Sequence, residues 1–239
     1  MKRMIRSFQS ACLQKHLIAP GIYELRLSKP EGFTFLPGQF VLFDVPLIEN
    51  LENIQTRAYS IASAPQEPDL LFVIKLMRGG RASRWIEDKV TTGTVFTLKG
   101  PFGKFTLDEG TTKPYLFVAT STGVAPFRSQ ILPVLQKGVT CRIDLVAGVV
   151  RKEDFFWEEQ WRALEEYYPN FRAHASFLSG EPDWHGETGS VQERISRLIT
   201  DPSNVSIYIC GATEMVQETK RLCVTLGVRK EDVHTEAYI

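Results

Sequence analysis

The spacing of apolar residues changes near residue 110 of this 239-residue chain. Before that point, short alternating or continuously apolar segments are separated by glycine and proline turns, which is typical of antiparallel strands in a small barrel or sandwich. After residue 114, apolar segments alternate with amphipathic helical ones, which is typical of a parallel sheet covered by helices on both faces. The pattern predicts a β + α/β chain: an antiparallel β-barrel domain over 1–110, followed by a parallel-sheet, Rossmann-like domain over 111–239.

The predicted elements are short, and several end at glycine or proline. In the first domain we expect one helix at 81–89 and strands at 21–27, 39–45, 57–61, 70–77 and 94–98. In the second we expect helices at 124–136, 154–168, 190–198 and 214–226, and strands at 115–119, 142–150, 171–177, 205–210 and 233–238. Gly100–Pro101 should stop the last strand of the first domain, and Pro133 should kink or end its helix.

Charge and hydropathy exclude several functional classes. The chain has 28 Lys plus Arg against 28 Asp plus Glu, so a general nucleic-acid-binding role, which needs a basic excess, is not predicted. No apolar run approaches the roughly 20 residues that span a bilayer. The basic amino terminus is followed by no long apolar stretch, so it does not resemble a secretory signal, and we expect a cytoplasmic location.

The cysteines and histidines are scattered along the chain. No Cys-x-x-Cys pair occurs, so neither a zinc site nor an iron–sulfur cluster is predicted, and no metal is expected. Reduced thiols are the better expectation for a chain long enough to build its own core. The four cysteines are Cys12, Cys141, Cys210 and Cys223.

Three short motifs in the first half contain residues suited to an anionic, aromatic ligand. Arg57-Ala58-Tyr59-Ser60 lies on a predicted strand, where an arginine fork can bind a diphosphate. Gly79-Gly80-Arg81-Ala82-Ser83 opens a predicted helix, whose free N–H groups attract anions. Gly100-Pro101-Phe102-Gly103 is a turn whose phenylalanine can stack on a flat ring. Each motif taken alone also fits a bland alternative: an edge strand with a surface ion pair, a helix cap, or a simple turn.

Three further motifs follow predicted strands of the second half. Residues 119–126 (Ala-Thr-Ser-Thr-Gly-Val-Ala-Pro) stand between a buried strand and a helix, the phosphate-binding position of a nucleotide fold. They form neither a G-x-G-x-x-G fingerprint nor a P-loop. Residues 210–213 (Cys-Gly-Ala-Thr) repeat that context, although a lone cysteine there is also typical of a core. The chain closes on Glu236-Ala237-Tyr238-Ile239, where an aromatic residue can simply pack.

This ordered set of motifs resembles the ferredoxin–NADP reductase superfamily. The matching pattern is R-x-Y-S, G-x-x-S, G-x-F-G, T-G-V-A-P, C-G and E-x-Y, and it covers essentially the whole chain. The resemblance implies a barrel domain that binds FAD and a second domain that binds NADH or NADPH. It also implies that electrons pass through FAD to a separate acceptor, of the ferredoxin, flavodoxin or oxygenase type. FAD rather than FMN is expected from its frequency in the family.

The resemblance also implies roles for individual residues of the first domain. Arg57 would pair with the flavin phosphates, Tyr59 would pack on the isoalloxazine, and Ser60 would hydrogen-bond near its reactive nitrogen. Backbone groups of the 70–77 strand would line the cofactor, and the glycine turn would hold the pyrophosphate. The other implied contacts are Ala58, Val73, Ile74, Lys75, Gly79, Gly80, Ser83 and Phe102.

In the second domain the resemblance implies a nucleotide site and the remaining catalytic groups. Cys210 would lie near the hydride-bearing carbon, Glu236 resembles the family's C-terminal acid, and Tyr238 resembles the aromatic that covers the flavin ring. With Ser60, these form the predicted catalytic set. The predicted nucleotide contacts are Thr120, Thr122, Gly123, Arg151, Gly211 and Ala212.

Departures from the family pattern shape the remaining expectations. Ser121 stands where many relatives have glycine, which predicts a looser phosphate contact, and Ile239 extends past the terminal aromatic. Arg151 can meet a 2′-phosphate, but residues 179–181 (Ser-Gly-Glu) place an acid where NADPH prefers a base, so the sequence favours NADH slightly. The alternatives are a non-catalytic flavin- or nucleotide-binding subunit of a larger complex and a free-flavin reductase. The acceptor's docking surface has no motif.

Overall fold

The computed structural model describes residues 6–108, 110–178 and 188–238. Within them the chain divides into two compact units. The first contains the residues up to Leu107 together with Ala125–Leu132, and the second contains Asp108–Val124 and the residues from Pro133 onward. No helix in these described ranges is long and apolar enough to cross a membrane.

The first unit is a six-stranded antiparallel sheet, as the sequence predicted. Its order is β4-β3-β6-β1-β2-β5, and the helix α1 (Arg81–Asp88) follows β5. The end strands approach each other, since the Ala62 N–H donates to the Leu71 carbonyl of β5 at 2.8 Å. The strands are β1 (Ser7–Ala19), β2 (Ile22–Ser28), β3 (Phe40–Leu47), β4 (Asn50–Ser60), β5 (Asp69–Lys75) and β6 (Val95–Phe102).

An aromatic cluster forms the core of this unit. The ring of Phe43 lies 4.8 to 5.1 Å from those of Tyr59, Phe72 and Phe96. Alternation along the strands directs these side chains inward, as in β2, where Leu25 and Leu27 are buried. Burial of such large apolar surfaces is the main stabilising term for the sheet.

The strand β1 was not among the predicted strands, and two others, β4 and β6, extend well beyond their predicted bounds. Strand β4 has eleven residues, whereas the prediction began at residue 57, because the exposed residues before it carry no apolar alternation that would mark them as a strand. Strand β6 continues through Gly100–Pro101 to Phe102. The proline is tolerated because the β3–β6 register shifts between Phe40 and Leu42, and at such an irregularity no ladder N–H is required.

The second unit is a five-stranded, wholly parallel sheet of order β11-β10-β7-β8-β9, so the predicted α/β domain is confirmed. The order reverses at β7 and β10, whose carboxyl ends therefore define the ligand-binding end of such a sheet. The strands are β7 (Tyr115–Thr120), β8 (Ile143–Val149), β9 (Phe171–Phe177), β10 (Ser206–Ala212) and β11 (Val233–Tyr238). The helices are α2 (Ala125–Gln136), α3 (Glu158–Tyr167), α4 (Val191–Leu198) and α5 (Thr213–Thr225).

Pro133 lies inside α2 and does not end it, since the helix continues to Gln136. The lost N–H removes one helical hydrogen bond, to the carbonyl four residues earlier. Buried Ile131, Val134 and Leu135 flank the proline, and their packing offsets that loss. The helix also changes its surroundings here, since residues up to Leu132 belong to the first unit and those from Pro133 to the second.

A buried ionic cluster joins β8, β9 and α4 in the second unit. Asp144, whose side chain is 7% exposed, accepts hydrogen bonds from Arg142 at 3.0 Å and from His174 Nε2 at 2.7 Å. Arg194 donates to the other ring nitrogen of His174 at 2.8 Å. Burial raises the pKa of Asp144, but the hydrogen bonds from His174 and Arg142 outweigh it, so the net shift is below the usual value.

We therefore expect Asp144→Asn to lower the free energy of unfolding at pH 7 by about 2 kcal/mol, because a buried amide cannot replace the charge-assisted hydrogen bonds that the carboxylate accepts from Arg142 and His174. The difference from wild type should be complete above about pH 5 and shrink as pH falls below about 4, where the carboxylate of the wild type becomes protonated. Urea unfolding followed by circular dichroism at several pH values measures this.

The matched control is Glu158→Gln, which breaks an exposed pair with Arg162 whose side chains are 46% and 63% exposed. That variant should lose less than about 0.5 kcal/mol at every pH. Equal losses for the two variants would contradict a special role for the buried cluster.

Candidate functional site

One end of the first unit's sheet brings together two residues that the sequence singled out separately. Ser60, the last residue of β4, is paired with Phe40 of β3, and Phe40 is paired with Phe102 of β6. Ser60 is buried, and the Phe102 ring lies 5.8 Å from that of Phe40. At Gly103 (φ +103°) an added Cβ would lie 3.1 Å from the Phe40 ring, so glycine is needed for this tight turn.

Tyr59 and Arg57 lie on the same face of β4 but in different environments. Tyr59 is half-buried against Phe43, and burial raises the pKa of its phenol to about 12, although the charge of Arg57 acts in the opposite direction. The Tyr59 side chain is therefore an uncharged donor near neutral pH. Arg57 is exposed, and its guanidinium donates to the Thr56 carbonyl at 2.8 Å and to Gln55 at 2.7 Å. Ala58 is also exposed.

The glycine turn before α1 leaves room for a ligand. An added Cβ at Gly79 (φ +71°) would meet nothing within 4 Å, and Gly80, the N-cap, makes no side-chain cap hydrogen bond. Ser83 is buried, and its hydroxyl accepts the Met77 N–H at 2.7 Å, so it braces the turn. Arg81 binds Asn53 of β4 at 2.9 Å, which places the start of α1 beside the strand that carries Arg57.

These groups fit the diphosphate and flat ring of a flavin dinucleotide. An exposed arginine and an uncapped helix start with adjacent glycines are suited to phosphate oxygens. Strand β5 is last in the sheet order, so its outer edge near Val73 and Ile74 has no neighbouring strand among the described residues, and its backbone can bind a ligand. Lys75, at the end of β5, is exposed.

In the second unit, two strand-end turns are in direct contact where the strand order reverses. An added Cβ at Gly123 would lie 2.3 Å from the Cys210 carbonyl oxygen, and one at Gly211 (φ +153°) would lie 2.3 Å from Thr120 Oγ1. Glycine at both positions lets the turn 120–124 meet the turn 210–213. Thr120 and Thr122 are half-buried in the first turn, whereas Ala212 is exposed in the second. The structure thus brings together the nucleotide contacts predicted on these two turns.

Three of the four predicted catalytic residues also lie together in this unit. The parallel register pairs Cys210 with Glu236 and Ala212 with Tyr238. Thr213 donates to the Tyr238 carbonyl at 3.2 Å, fixing the end of β11. Burial raises the pKa of the Cys210 thiol far above its usual range, the charge of Glu236 raises it further, and a hydrogen bond with the Tyr238 side chain acts in the opposite direction. Cys210 is therefore a neutral thiol.

Arg151 lies just beyond β8, as predicted, but it has an acidic neighbour. Its guanidinium is exposed and lies 3.2 Å from Glu153. Residues 179–181, on which the expected NADH preference also depends, lie outside the described residues, as does Ile239. Coenzyme preference therefore stays a prediction.

A cluster that sequence reasoning missed lies beneath the end of β4. Arg128 and Ser129 of α2 are buried, and they bind residues 62–67, which follow the R-x-Y-S motif. Gln130, also buried, donates to the Phe105 carbonyl at 2.6 Å. The available signal was a polar triplet, Arg-Ser-Gln at 128–130, inside an otherwise apolar helix, since buried arginine is rare unless paired.

Comparison with known proteins matches both halves of the chain. The oxidoreductase FAD-binding domain family matches residues 16–107, and the oxidoreductase NAD-binding domain family matches residues 117–221. Ferredoxin–NADP reductase B of Sorangium cellulosum is 31% identical over 97% of both chains. This chain belongs to the ferredoxin–NADP reductase superfamily. It is an NAD(P)H-dependent oxidoreductase that uses FAD, as the sequence predicted.

Other relatives of this reductase superfamily member are longer. The phenol hydroxylase P5 protein of Acinetobacter pittii is 26% identical over 99% of this chain and 67% of its own length. The ferredoxin–NAD(P)(+) reductase component of the naphthalene 1,2-dioxygenase/salicylate 5-hydroxylase systems of a Ralstonia species is 28% identical, and this chain covers 64% of it. The chain thus spans about two thirds of the length of these two relatives.

Solved structures agree on the fold. Amycolatopsis cytochrome P450 reductase superposes with a TM-score of 0.90 at 24% identity, over 98% of this chain and 70% of that one. A ferredoxin NADP+ reductase from Neisseria gonorrhoeae, solved with FAD and NADP, superposes with a TM-score of 0.83 at 23% identity, over 97% and 98% of the two chains.

Replacement of Gly123 by alanine tests the contact of the two turns in the second unit. Because the added Cβ would meet backbone atoms of Cys210 rather than a movable side chain, the turns must separate. We expect a loss of about 3 kcal/mol in stability and at least a roughly tenfold weaker affinity for the nicotinamide nucleotide. Thermal unfolding and calorimetric titration with NAD+ and NADP+ measure both.

The control is Gly110→Ala, whose added Cβ would meet only the Asp108 carboxylate, at 3.3 Å. It should leave nucleotide affinity unchanged. Wild-type affinity in Gly123→Ala would show that the nucleotide does not depend on this contact.

Proposed function

We propose that this reductase delivers electrons from NADH or NADPH to a separate ferredoxin-type or oxygenase-type protein. The observation that carries the proposal is that each of the two units has its own candidate ligand-binding surface. The first unit has the exposed Arg57 and the uncapped glycine turn, and the second has the paired turns at the strand-order reversal. The choice of acceptor is supported by relatives that are named as ferredoxin reductases and as reductase components of oxygenase systems.

The bound flavin supplies the redox chemistry, since it accepts a hydride and releases its electrons singly, and the protein supplies binding and orientation. In this proposal Arg57 and the turn at Gly79–Gly80 hold the diphosphate. Tyr59, uncharged and braced by Phe43, presents its ring and hydroxyl to the cofactor. Residues 73–75 bind it through the outer edge of β5.

The proposal assigns Ser60, Cys210, Glu236 and Tyr238 to the hydride-transfer step. Ser60 provides a hydrogen bond from a rigid position at the end of β4. In the second unit, the neutral thiol of Cys210 provides a small, uncharged surface for the reactive part of the coenzyme. Glu236 holds a negative charge next to that thiol, where it can stabilise developing positive charge on a nicotinamide ring. Tyr238, at the end of β11, provides the covering aromatic ring.

An anaerobic titration of the purified protein with NADH and, separately, with NADPH tests the proposed function. The visible absorbance of the oxidised flavin should bleach when about one equivalent of coenzyme is added. The reduced protein should then pass its electrons to an added ferredoxin. A protein that retains flavin but is not bleached would favour the non-catalytic alternative. Flavin that is lost on dialysis would favour a free-flavin reductase. A protein that binds no flavin would overturn both the proposed function and the flavin-binding form of the non-catalytic alternative.

Ser60→Ala tests the role of the hydroxyl. Loss of one hydrogen bond that is made to the reacting ring should slow flavin reduction about tenfold while FAD affinity falls less than about threefold. Stopped-flow absorbance gives the rate, and fluorescence titration of the flavin-free protein gives the affinity. Ser196→Ala, an exposed helical serine bonded to the Gln192 carbonyl, is the matched control. An unchanged reduction rate in Ser60→Ala would remove the hydroxyl from the proposal.

Coenzyme preference rests on Arg151 and its acidic neighbour. We infer a modest preference for NADH, because Glu153 competes with a 2′-phosphate for the Arg151 guanidinium. Glu153→Gln should therefore tighten NADPH binding about two- to fivefold and leave NADH unchanged, which matches the strength of an exposed ion pair. Arg151→Ala should weaken NADPH alone. Equal effects on both coenzymes would place the 2′-phosphate elsewhere.

A further inference from the structure

The segment that follows Ser60 is buried and is held through its backbone. Ile61, Ala62 and Ser63 are each no more than 1% exposed. The Ile61 N–H donates to the Gln39 carbonyl at 3.0 Å, and the Ala62 N–H donates to the Leu71 carbonyl at 2.8 Å. These bonds fix the N–H side of the segment, while the carbonyls of Ala62 and Ser63 need other donors.

Those donors come from α2, more than sixty residues along the chain. Arg128 Nη1 donates to the Ala62 carbonyl at 2.9 Å, and the adjacent Ser129 hydroxyl donates to the Ser63 carbonyl at 2.7 Å. The Arg128 side chain is only 4% exposed. Both residues belong to the same compact unit as Ser60.

Glu67 holds the Arg128 guanidinium in place. Its two carboxylate oxygens accept from Nη1 at 2.8 Å and from Nη2 at 3.0 Å, in the bidentate geometry that arginine and carboxylate prefer. One of these oxygens also accepts the Ala64 N–H. The arginine, the carboxylate and residues 62–64 therefore form one closed hydrogen-bonded ring.

The Arg128–Glu67 pair contributes little to the net folding stability. Arg128 loses nearly all of its hydration, whereas Glu67 keeps part of it, since 24% of its side chain is exposed. The attraction of such a pair is largely offset by the desolvation of the guanidinium, so it gains little net stability over apolar side chains of similar size. A pair of apolar residues cannot donate to the Ala62 carbonyl, however. What the pair adds is a fixed backbone position two residues after Ser60.

We propose that Arg128, oriented by Glu67, is a positioning residue that holds Ser60 in register for hydride transfer. This inference rests on the proposed function of Ser60. Arg128 acts through the backbone of residues 61–63 and touches neither the coenzyme nor the flavin. Its loss should therefore loosen the segment before it weakens cofactor binding.

The first test compares Arg128→Lys with Arg84→Lys. Lysine keeps the charge but cannot bind Glu67 and Ala62 with one planar fork. Arg84 forms an exposed pair with Glu49 in the same unit, at 2.9 Å and with both side chains more than half exposed, so it is the matched control. At saturating coenzyme, Arg128→Lys should lower the flavin-reduction rate about tenfold while KM changes less than about twofold, and Arg84→Lys should match wild type.

A second readout does not depend on activity. Amide hydrogen exchange of peptides covering residues 60–64, measured in the full chain with and without flavin, should be at least about tenfold faster in Arg128→Lys and unchanged in Arg84→Lys. Glu67→Gln should also reduce flavin more slowly and exchange amide hydrogens faster at residues 60–64, each by a smaller factor. If Arg128→Lys does not fold, Glu67→Gln provides the test of the inference.

The double variant Arg128→Leu with Glu67→Leu separates positioning from stability. It should recover part of the thermal midpoint that Arg128→Leu alone loses, because no carboxylate is left without its cation, but neither the reduction rate nor the exchange protection. Wild-type reduction rates in flavin-loaded Arg128→Lys and in the double variant would overturn the inference. If the wild type itself is not reduced by either coenzyme, the proposed function fails. Unchanged amide exchange at residues 60–64 in Arg128→Lys would show, independently of activity, that Arg128 does not anchor the segment.

Discussion

The backbone contact between Gly123 and Cys210 is the interaction on which the second unit's ligand-binding end depends. Only residues without a side chain allow the turn after β7 to touch the turn after β10, and the two strands are neighbours because the sheet order reverses there. Beside that contact, the parallel register of β10 and β11 pairs the buried Cys210 with Glu236. A parallel sheet thus converts separate sequence motifs into one surface, because all of its strands end at the same edge.

In the first unit, separate motifs are brought together by antiparallel rather than parallel strand pairing. Its motifs meet because antiparallel register aligns the end of β4 with β3 and β6, so that Ser60, Phe40 and Phe102 form one row. The groups that we propose to bind the phosphates lie on the exposed part of β4 and on the turn before α1, and Arg81 of α1 donates a hydrogen bond to Asn53 of β4.

Much of this could be predicted from the sequence. The buried strand Tyr115–Thr120 of the second unit was found almost to the residue, because a continuous apolar segment between turn signals leaves little choice. The less apolar edge strands Phe171–Phe177 and Val233–Tyr238 were found as well. The motifs were found because glycine, arginine and aromatic residues occur in a family order. The long β4 was missed, since its exposed residues follow no apolar period. Pro101 was misjudged because a register shift overrides a local rule. The Arg128–Glu67 pair joins residues that are 61 positions apart, and no local sequence pattern predicts such a contact.

The division of α2 has a consequence for how this protein can be taken apart or recombined. The chain leaves the flavin-binding unit at Leu107, yet eight residues of α2, Ala125–Leu132, belong to it. A fragment that stops before them would expose Glu67 without its cation and two buried carbonyls without donors. A chimera that exchanges whole nucleotide-binding halves between relatives would import a foreign helix against residues 62–67. A chimera must therefore keep Ala125–Leu132 together with the first unit. The segments that have to be exchanged together are interleaved along the sequence rather than consecutive.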